Sequence, residues 1–338
     1  METDSLPTSR PINVESTNPA DIFLMFDAIT YHKDAVLIRM INMFLGDQIF
    51  QQGIRSYLKK FSYNSATQHD LWQYLTQATN NTIDVEHIMT GWTDQAAYPV
   101  VDVKRTYTKT DQQQLYDWIL PNPNYFGIYR TKYSSGNFHL IITQLQTNHT
   151  HIPTISRSAV IDDTFALSHI LLVNATEAYR LIGYLKNERD LVLWITALSS
   201  MNRQEYLLGD NEIFSEVQQY FLELILPLYN SIGWTSINQS IDWRQALLQP
   251  KVLSAVFSYG YPECIDTARS FFRQRYLNPV QNLIPNSLRR VIYCIVVREG
   301  SEEEFQFLWN RSKNELVPSE MVNLLDGLAC TKDRSRIV

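Results

Sequence analysis

The seven histidines are the first residues to test for chemistry, because imidazole serves both as a general base and as a metal ligand. A zinc hydrolase needs a pair such as His-Glu-x-x-His, which places two imidazoles at i and i+4 on one face of a helix. No histidine of this sequence is followed by Glu, and none has a partner at that spacing. His149-x-His151 lies in a polar stretch, and we interpret it as two solvated histidines rather than a metal site. The sequence therefore predicts no metal site in these residues.

Other catalytic patterns are also missing from the sequence. It contains no G-x-S-x-G elbow, no phosphate-binding glycine loop and no C-x-x-C pair. Three cysteines, at 264, 294 and 330, are too few for a disulfide scaffold, and one pair with one cysteine left over is the simplest arrangement. Cys264 has no flanking base, so we interpret it as a buried thiol rather than a nucleophile. The residues by themselves predict no complete active site.

Five Asn-x-Ser/Thr sequons make N-glycosylation a second kind of chemistry to weigh. Their asparagines are candidates for glycosylation: Asn80, Asn148, Asn174, Asn238 and Asn310. The alternative is that they are unmodified sequons of a cytosolic protein, because the printed sequence shows no export signal. Both interpretations stay open.

Composition excludes several classes of protein. Hydrophobic residues make up 45% of the chain and charged residues 19%, which is typical of a globular protein with a real core. The net charge of −6 has the wrong sign for a nucleic-acid groove. The apolar runs, such as Ile170–Val173, are far below the roughly 18 residues of a membrane-spanning helix. We therefore expect a chain without nucleic-acid partners, and a cytoplasmic one if it is expressed as printed.

The elements that must position these residues are mainly helices. A helix is predicted to begin at Asn18-Pro19, with apolar residues at helical spacing as far as Phe44 and an end at Gly46. Capping boxes at Thr67–Asp70 and Ser301–Glu304 mark two further helix starts.

The period changes after Tyr98-Pro99. Residues 100–110 and 118–133 are rich in β-branched and aromatic residues with Pro-Asn turns between them, which favours short strands. From Phe138 onward the period is helical again. The predicted helices cover 156–169, 190–201, 213–229, 243–259, 263–276, 287–298, 302–309 and 319–329. Serial short helices with brief links are typical of stacked αα-hairpins, so we predict a mainly α fold that ends in an irregular solenoid.

One stretch resembles a known family of enzymes. The run Phe26-Asp-Ala-Ile-Thr-Tyr31-His-Lys-Asp-Ala-Val-Leu-Ile-Arg-Met40 is similar to the F-D-x-I-x-Y-x-K-G-A pattern of zinc aminopeptidases of the aminopeptidase N family, which are gluzincins. The resemblance continues in collinear order through Asp70-Leu-Trp72, Trp92-Thr-Asp-Gln95, Gly127-Ile-Tyr-Arg130, Ile161-Asp-Asp163, Leu288-Arg-Arg-Val-Ile-Tyr-Cys294 and Leu328-Ala-Cys330. It covers nearly the whole chain.

The resemblance implies a domain plan. Residues 1–97 would be the C-terminal helical part of a thermolysin-like catalytic domain, 98–135 a truncated β-sandwich remnant, and 136–338 an incomplete α-helical, HEAT-like domain. The family's His-Glu-x-x-His, its zinc glutamate and its Gly-Ala-Met-Glu-Asn motif would precede residue 1. The stretch between Thr110 and Trp118 is much shorter than the family's β-sandwich, and the family continues with helices beyond Cys330. The resemblance thus implies an internal piece of an aminopeptidase.

Tyr31 matches the family tyrosine whose phenol donates to the oxyanion of the tetrahedral intermediate. The alternative, an ordinary aromatic on a helix face, is less favoured given the surrounding match.

Asp34 stands where the family usually has Gly. Its carboxylate could accept the Tyr31 O–H or repel an incoming anion, but we favour a solvated helix charge beside Lys33.

The resemblance also implies a cysteine pairing. Cys294 and Cys330 match the positions of a family disulfide. Cys264 matches one half of a second, whose other half is Phe257 here, so Cys264 should be a free thiol. In a reducing compartment all three would be thiols.

Two hypotheses about function follow. The first is a portion of a zinc metalloaminopeptidase that cleaves N-terminal residues from peptides, inactive alone because the zinc motif is missing. The second is a non-catalytic helical module that binds peptides or forms a homo- or heterodimer with a full-length relative. The resemblance implies zinc in the intact family enzyme, which is often membrane-anchored or extracellular, and no cofactor in these residues.

Overall fold

The computed structural model describes residues 3–6, 8–14, 16, 18–104, 118–209 and 211–336. The prediction of a mainly α fold is confirmed. The helices are α1 (Pro19–Leu24), α2 (Asp34–Leu45), α3 (Asp47–Lys60), α4 (Gln68–Ala78), α5 (Val85–Thr93), α6 (Ser135–Asn148), α7 (Thr154–His169), α8 (Ala175–Ile182), α9 (Leu191–Leu208), α10 (Phe214–Ile232), α11 (Trp243–Ser258), α12 (Pro262–Leu277), α13 (Arg289–Glu299), α14 (Glu302–Ser312) and α15 (Pro318–Leu328), with a π-helix at Ile29–Lys33 and the strands β1 (Val100–Val103) and β2 (Arg130–Tyr133).

Backbone contacts divide the chain into two compact units. The first contains residues 1–141 and 166–173, and the second contains residues 142–165 and 174–338. The core of the first unit brings α2, α4 and α5 together around a buried apolar cluster. Its members are Leu37, Met40, Ile41, Leu45, Trp72, Leu75, Val85, Met89 and Ile128.

Both predicted capping boxes are present. The carboxylate of Asp70 accepts the backbone N–H of Thr67 at 2.8 Å, and the Thr67 hydroxyl accepts the N–H of Asp70 at 3.3 Å. Glu304 accepts the N–H of Ser301 at 2.8 Å. Each box satisfies helix N–H groups that have no intrahelical partner, so α4 and α14 begin where the sequence predicts.

The stretch from Asn18 to Gly46 is not one continuous helix, so that prediction is wrong. Asn18 does cap α1, because its side chain accepts the N–H of Ala20 at 3.0 Å. After α1 the chain leaves the helix, and it re-enters through the π-helix before α2. The carboxylate of Asp27 causes the restart, since it accepts the N–H groups of Ile29 and Thr30 at 3.0 Å each.

The strands are shorter than predicted. β1 and β2 pair in parallel, with Val100 opposite Arg130 and Val103 opposite Tyr133. Residues 118–129 contain a turn where the two Pro-Asn pairs predict one, and in it the side chain of Asn122 binds both the N–H and the C=O of Gly127 at 2.8 and 2.9 Å. Asn124 and Tyr125 have φ angles of 56° and 55°, which a strand does not allow. The predictions for residues 105–117 lie outside the described residues.

The second unit is a succession of packed helices. α10 packs on α11, α11 on α12, and α12 on α13, and α13 contacts both α14 and α15. Sequential neighbours in contact are the pattern of stacked αα-hairpins. α8 and the 3-10 turn at Gly183–Asn187 lie between predicted helices and were not predicted as separate elements. No described helix has the length and apolar character needed to cross a membrane.

Candidate functional site

Tyr31 lies on the π-helix between α1 and α2. Ile29 and Lys33, one π-turn apart, are 5% and 7% exposed and face inward, whereas Tyr31 between them is 59% exposed. A π-helix carries one more residue per turn than an α-helix, and such turns are frequent at functional sites. The inward pair therefore fixes an outward position for the tyrosine.

The phenol of Tyr31 is available as a donor. Its ring contacts that of Phe26 at a centroid distance of 6.2 Å. Within the part of the chain that the structure describes, no hydrogen bond engages its hydroxyl. A phenol on an exposed helix turn can donate to an oxygen that gains negative charge, which is the chemistry of an oxyanion donor.

Asp34 does not form a hydrogen bond with Tyr31 among the described residues. It is half-buried at the start of α2. Burial raises the pKa of its carboxyl above the ordinary value, and the positive charges of Lys33 and Arg10 oppose that rise. The favoured role of Asp34, a helix charge beside Lys33, stays a prediction.

Two ion pairs surround the π-helix. The ammonium of Lys33 is 3.1 Å from the carboxylate of Asp4, and the side chains of both are less than a tenth exposed. The guanidinium of Arg10 is 3.1 Å from the carboxylate of Asp27. Burial raises the pKa of Asp27, but the N–H of Thr30, the charge of Arg10 and the N–H of Ile29 outweigh burial, so the net pKa is lowered. The carboxylate is therefore held in its charged form.

Sequence reasoning missed these partners. Asp27 carried a usable local signal, because an Asp just before a helical stretch is a typical N-cap residue. Asp4 and Arg10 carried none, since their partners lie 17 or more residues away in the sequence.

A cavity of about 200 Å³ lies against the π-helix. Asp4, Ile29, His32 and Tyr125 are among its lining residues. It is partly apolar and adjoins the buried Lys33–Asp4 pair. Tyr31 is not among the residues that line this cavity, so the candidate site of the first unit is the π-helix with its exposed tyrosine, and the cavity lies beside the other residues of that helix.

The residues that the structure describes do not fit a zinc ion. A protein zinc site needs three or four His, Cys, Asp or Glu ligands. The described residues contain no group of three such side chains that could hold a metal ion. His149 and His151 lie on a 3-10 turn, and His149 contacts the ring of Tyr184 at 5.8 Å between centroids. The chemistry that these residues offer is that of the Tyr31 phenol.

The cysteines lie in the second unit. Cys294, on α13, and Cys330, just after α15, form a disulfide, with Cα atoms 5.2 Å apart. Cys264 is buried and free. Burial, together with the nearby charge of Glu263, raises the pKa of its thiol to about 12, so it is not a nucleophile at neutral pH.

All five sequon asparagines are exposed. In three of them, at 148, 174 and 238, the side-chain oxygen accepts the backbone N–H of the Thr or Ser two residues later, at 2.9–3.2 Å. Asn80 has a φ of 55°, and Asn310 lies within α14. Their glycosylation stays a prediction.

Two family models match the chain. The ERAP1-like C-terminal domain matches residues 118–337, and the Peptidase family M1 domain matches residues 1–92. Residues 93–117, which include β1, lie between the two matches.

Individual relatives agree with this assignment. Aminopeptidase N of Homo sapiens is 30% identical over 98% of this chain and 41% of its own length, and that of Bos taurus has the same values. The thyrotropin-releasing hormone-degrading ectoenzyme of Rattus norvegicus is 26% identical over 99% of this chain and 38% of its own length. The chain spans about two fifths of the length of these relatives. The chain belongs to the M1 aminopeptidase family and carries that family's ERAP1-like C-terminal domain.

Proposed function

We propose that this chain supplies the oxyanion-side donor and the helical C-terminal domain of an aminopeptidase that removes N-terminal residues from peptides. The observation that carries the proposal is the phenol of Tyr31, exposed on a π-helix and without a hydrogen bond among the described residues. Hydrolysis of a peptide bond develops negative charge on the carbonyl oxygen, and a preorganised O–H stabilises that charge. Residues 1–97 would complete one wall of a catalytic domain.

The rest of the domain plan belongs to the same proposal. In this plan residues 98–135 correspond to a reduced β element and residues 136–338 to an α-helical, HEAT-like domain. We also propose that these 338 residues alone bind no catalytic zinc and hydrolyse no peptide, because the sequence has no His-Glu-x-x-His pair and the described residues contain no group of three metal ligands.

The test for inactivity uses the purified chain. Elemental analysis should find no stoichiometric zinc, and aminoacyl-nitroanilides should not be cleaved with or without added zinc. Stoichiometric zinc together with chelator-sensitive release of nitroaniline would contradict this part of the proposal.

The test for Tyr31 joins this chain to the preceding zinc-bearing portion of human aminopeptidase N. The chimera should release N-terminal residues, and Tyr31→Phe should lower kcat by about 10²–10³-fold, as loss of one oxyanion donor does in other hydrolases. Tyr63→Phe is the matched control, since Tyr63 is fully exposed and should leave kcat unchanged.

Two outcomes would count against the proposal. One is a folded, zinc-loaded chimera that hydrolyses no peptide. The other is an active chimera that is indifferent to Tyr31→Phe. Either result would favour the second hypothesis, a non-catalytic helical module that binds peptides or pairs with a relative.

A further inference from the structure

We propose that Asp4 and Arg10 are positioning residues for Tyr31, because they hold the two ends of the π-helix in the register that turns the phenol outward. The proposal rests on the proposed function, since it assigns a role around the same tyrosine. Both residues lie at the start of the printed sequence. Asp4 pairs with Lys33 on the π-helix, and Arg10 pairs with Asp27 just before it, so each partner is 17 or more residues away. Neither touches the reacting atoms.

Lys33 and Asp4 hold the C-terminal end. The Lys33 ammonium donates to the carbonyl oxygens of Gln95 and Ala97 at 3.2 and 2.8 Å, and it lies 3.1 Å from Asp4. These three partners use all three donors of an ammonium group. The other carboxylate oxygen of Asp4 accepts the N–H of Ala97 at 3.1 Å and the hydroxyl of Ser9 at 2.7 Å. The buried charges are thus fully paired, which is the condition under which such a pair is tolerated.

The backbone at Ala97 is a second sign that this end is held firmly. Its φ is +66°, a left-handed conformation that is unfavourable for Ala. Its N–H binds Asp4 and its C=O binds Lys33. A strained residue persists only where its surroundings over-determine it, so the pair fixes the residue as well as the helix.

Arg10 and Asp27 hold the N-terminal end. One oxygen of Asp27 accepts the N–H groups of Ile29 and Thr30 and the guanidinium of Arg10. The same guanidinium donates to the Thr30 hydroxyl at 2.8 Å and to the carbonyl of Met25 at 3.1 Å. Arg10 therefore fixes the residue directly before Tyr31.

Register matters because a π-turn contains one extra residue. If the segment relaxed to an α-helix, residues on one side of it would rotate by about 100° relative to the other side, which is the turn per residue. Such a rotation would move Tyr31 away from its outward position while the rest of the first unit stayed folded. Positioning and general stability can therefore be separated by experiment.

The test uses the full chain and measures two local properties. One is hydrogen exchange of the amides of residues 28–34. The other is the fluorine NMR signal of Tyr31 in protein that carries 3-fluorotyrosine, assigned by its loss in Tyr31→Phe. Asp4→Asn and Arg10→Gln should each speed exchange in this segment by about tenfold or more and shift the Tyr31 signal, while α4 and α5 stay protected.

Two further variants separate positioning from stability. Asp4→Asn combined with Lys33→Met leaves no buried charge unpaired, so the global stability should return towards that of wild type. A positioning role predicts that exchange at 28–34 stays fast in this double variant. Glu86→Gln is the control, since it removes the exposed His69–Glu86 pair on α4 and α5 and should leave the Tyr31 signal unchanged.

The proposal is overturned if Asp4→Asn and Arg10→Gln leave the Tyr31 signal and the local exchange at wild-type values. It is also overturned if they speed exchange equally throughout the first unit, or if the double variant restores both properties. Should Asp4→Asn fail to fold, Arg10→Gln decides alone, because its ion pair is partly exposed. Neither readout needs catalysis, so a failed chimera would refute the proposed function and leave this result standing.

Discussion

Among individual residues, Glu205 on α9 shows how burial sets the behaviour of a single side chain. Its Oε1 atom is buried, and so is the nearby hydroxyl of Tyr259. Burial raises the pKa of the Glu205 carboxyl above its ordinary value of 4.5, and the nearby Tyr259 hydroxyl offsets only part of that rise. The charged carboxylate is therefore unfavourable in the folded state.

Because burial raises the pKa of Glu205, the stability of the protein should depend on pH in a defined direction. A carboxyl with a raised folded-state pKa contributes stability when protonated, and that contribution is lost as pH rises above 4.5 through the folded-state pKa. Glu205→Gln should therefore increase the free energy of unfolding at pH 7, and the gain should shrink as the pH falls through the raised folded-state pKa towards 4.5 and be absent below it.

Urea unfolding of both proteins at a series of pH values measures this gain. Glu212→Gln, at an exposed position of the same unit, should show no such trend. A gain that is constant with pH would mean that the carboxylate charge is not the cause.

At the scale of elements, the contact between α13 and α15 depends on Gly327. A Cβ atom at this position would lie 2.5 Å from the Cβ of Tyr293 and 3.2 Å from its backbone carbon. Tyr293 is itself fixed, because its hydroxyl donates to the buried carboxylate of Glu320 at 2.7 Å. The absence of a side chain at Gly327 is what allows the two helices to approach.

Gly327→Ala should therefore destabilise the protein by about 1–3 kcal/mol, the usual effect of overpacking a well-packed contact. Gly91→Ala is the matched control, since Gly91 lies within α5 and a Cβ atom there meets no atom within 4 Å. The control should be neutral, or stabilising by up to about 1 kcal/mol, because Ala favours a helix over Gly. Denaturant unfolding of both variants compares them, and equal effects would show that the contact is not close.

For the whole molecule, the disulfide is the one covalent link between distant parts of the described chain. It closes a segment of 36 residues that contains α14 and α15, within the second unit. Such a link stabilises the folded state mainly by reducing the entropy of the unfolded chain.

Replacing both cysteines, Cys294→Ala with Cys330→Ala, should lower the free energy of unfolding by about 3–4 kcal/mol for a loop of this length. Thermal unfolding with and without dithiothreitol measures the effect. The reductant should lower the wild-type midpoint and leave that of the double variant unchanged. A variant as stable as the oxidised wild type would show that the closed loop contributes little.

The sequence by itself determined the features that depend on near neighbours. The capping boxes at Thr67 and Ser301 and most of the helices of the second unit lie where the sequence predicts, because a helix start is decided within about four residues. The family resemblance supplied Tyr31 and the cysteine pairing, neither of which follows from spacing alone.

Tertiary structure alone decided the features that join distant residues. The parallel pairing of Val100 with Arg130 needs a long crossover, and local strand propensity cannot specify its direction. The π-helix interrupts a stretch whose apolar spacing is typical of one continuous helix. Its partners Asp4 and Arg10 meet it only after the chain folds, and its register depends on charges that no local pattern connects.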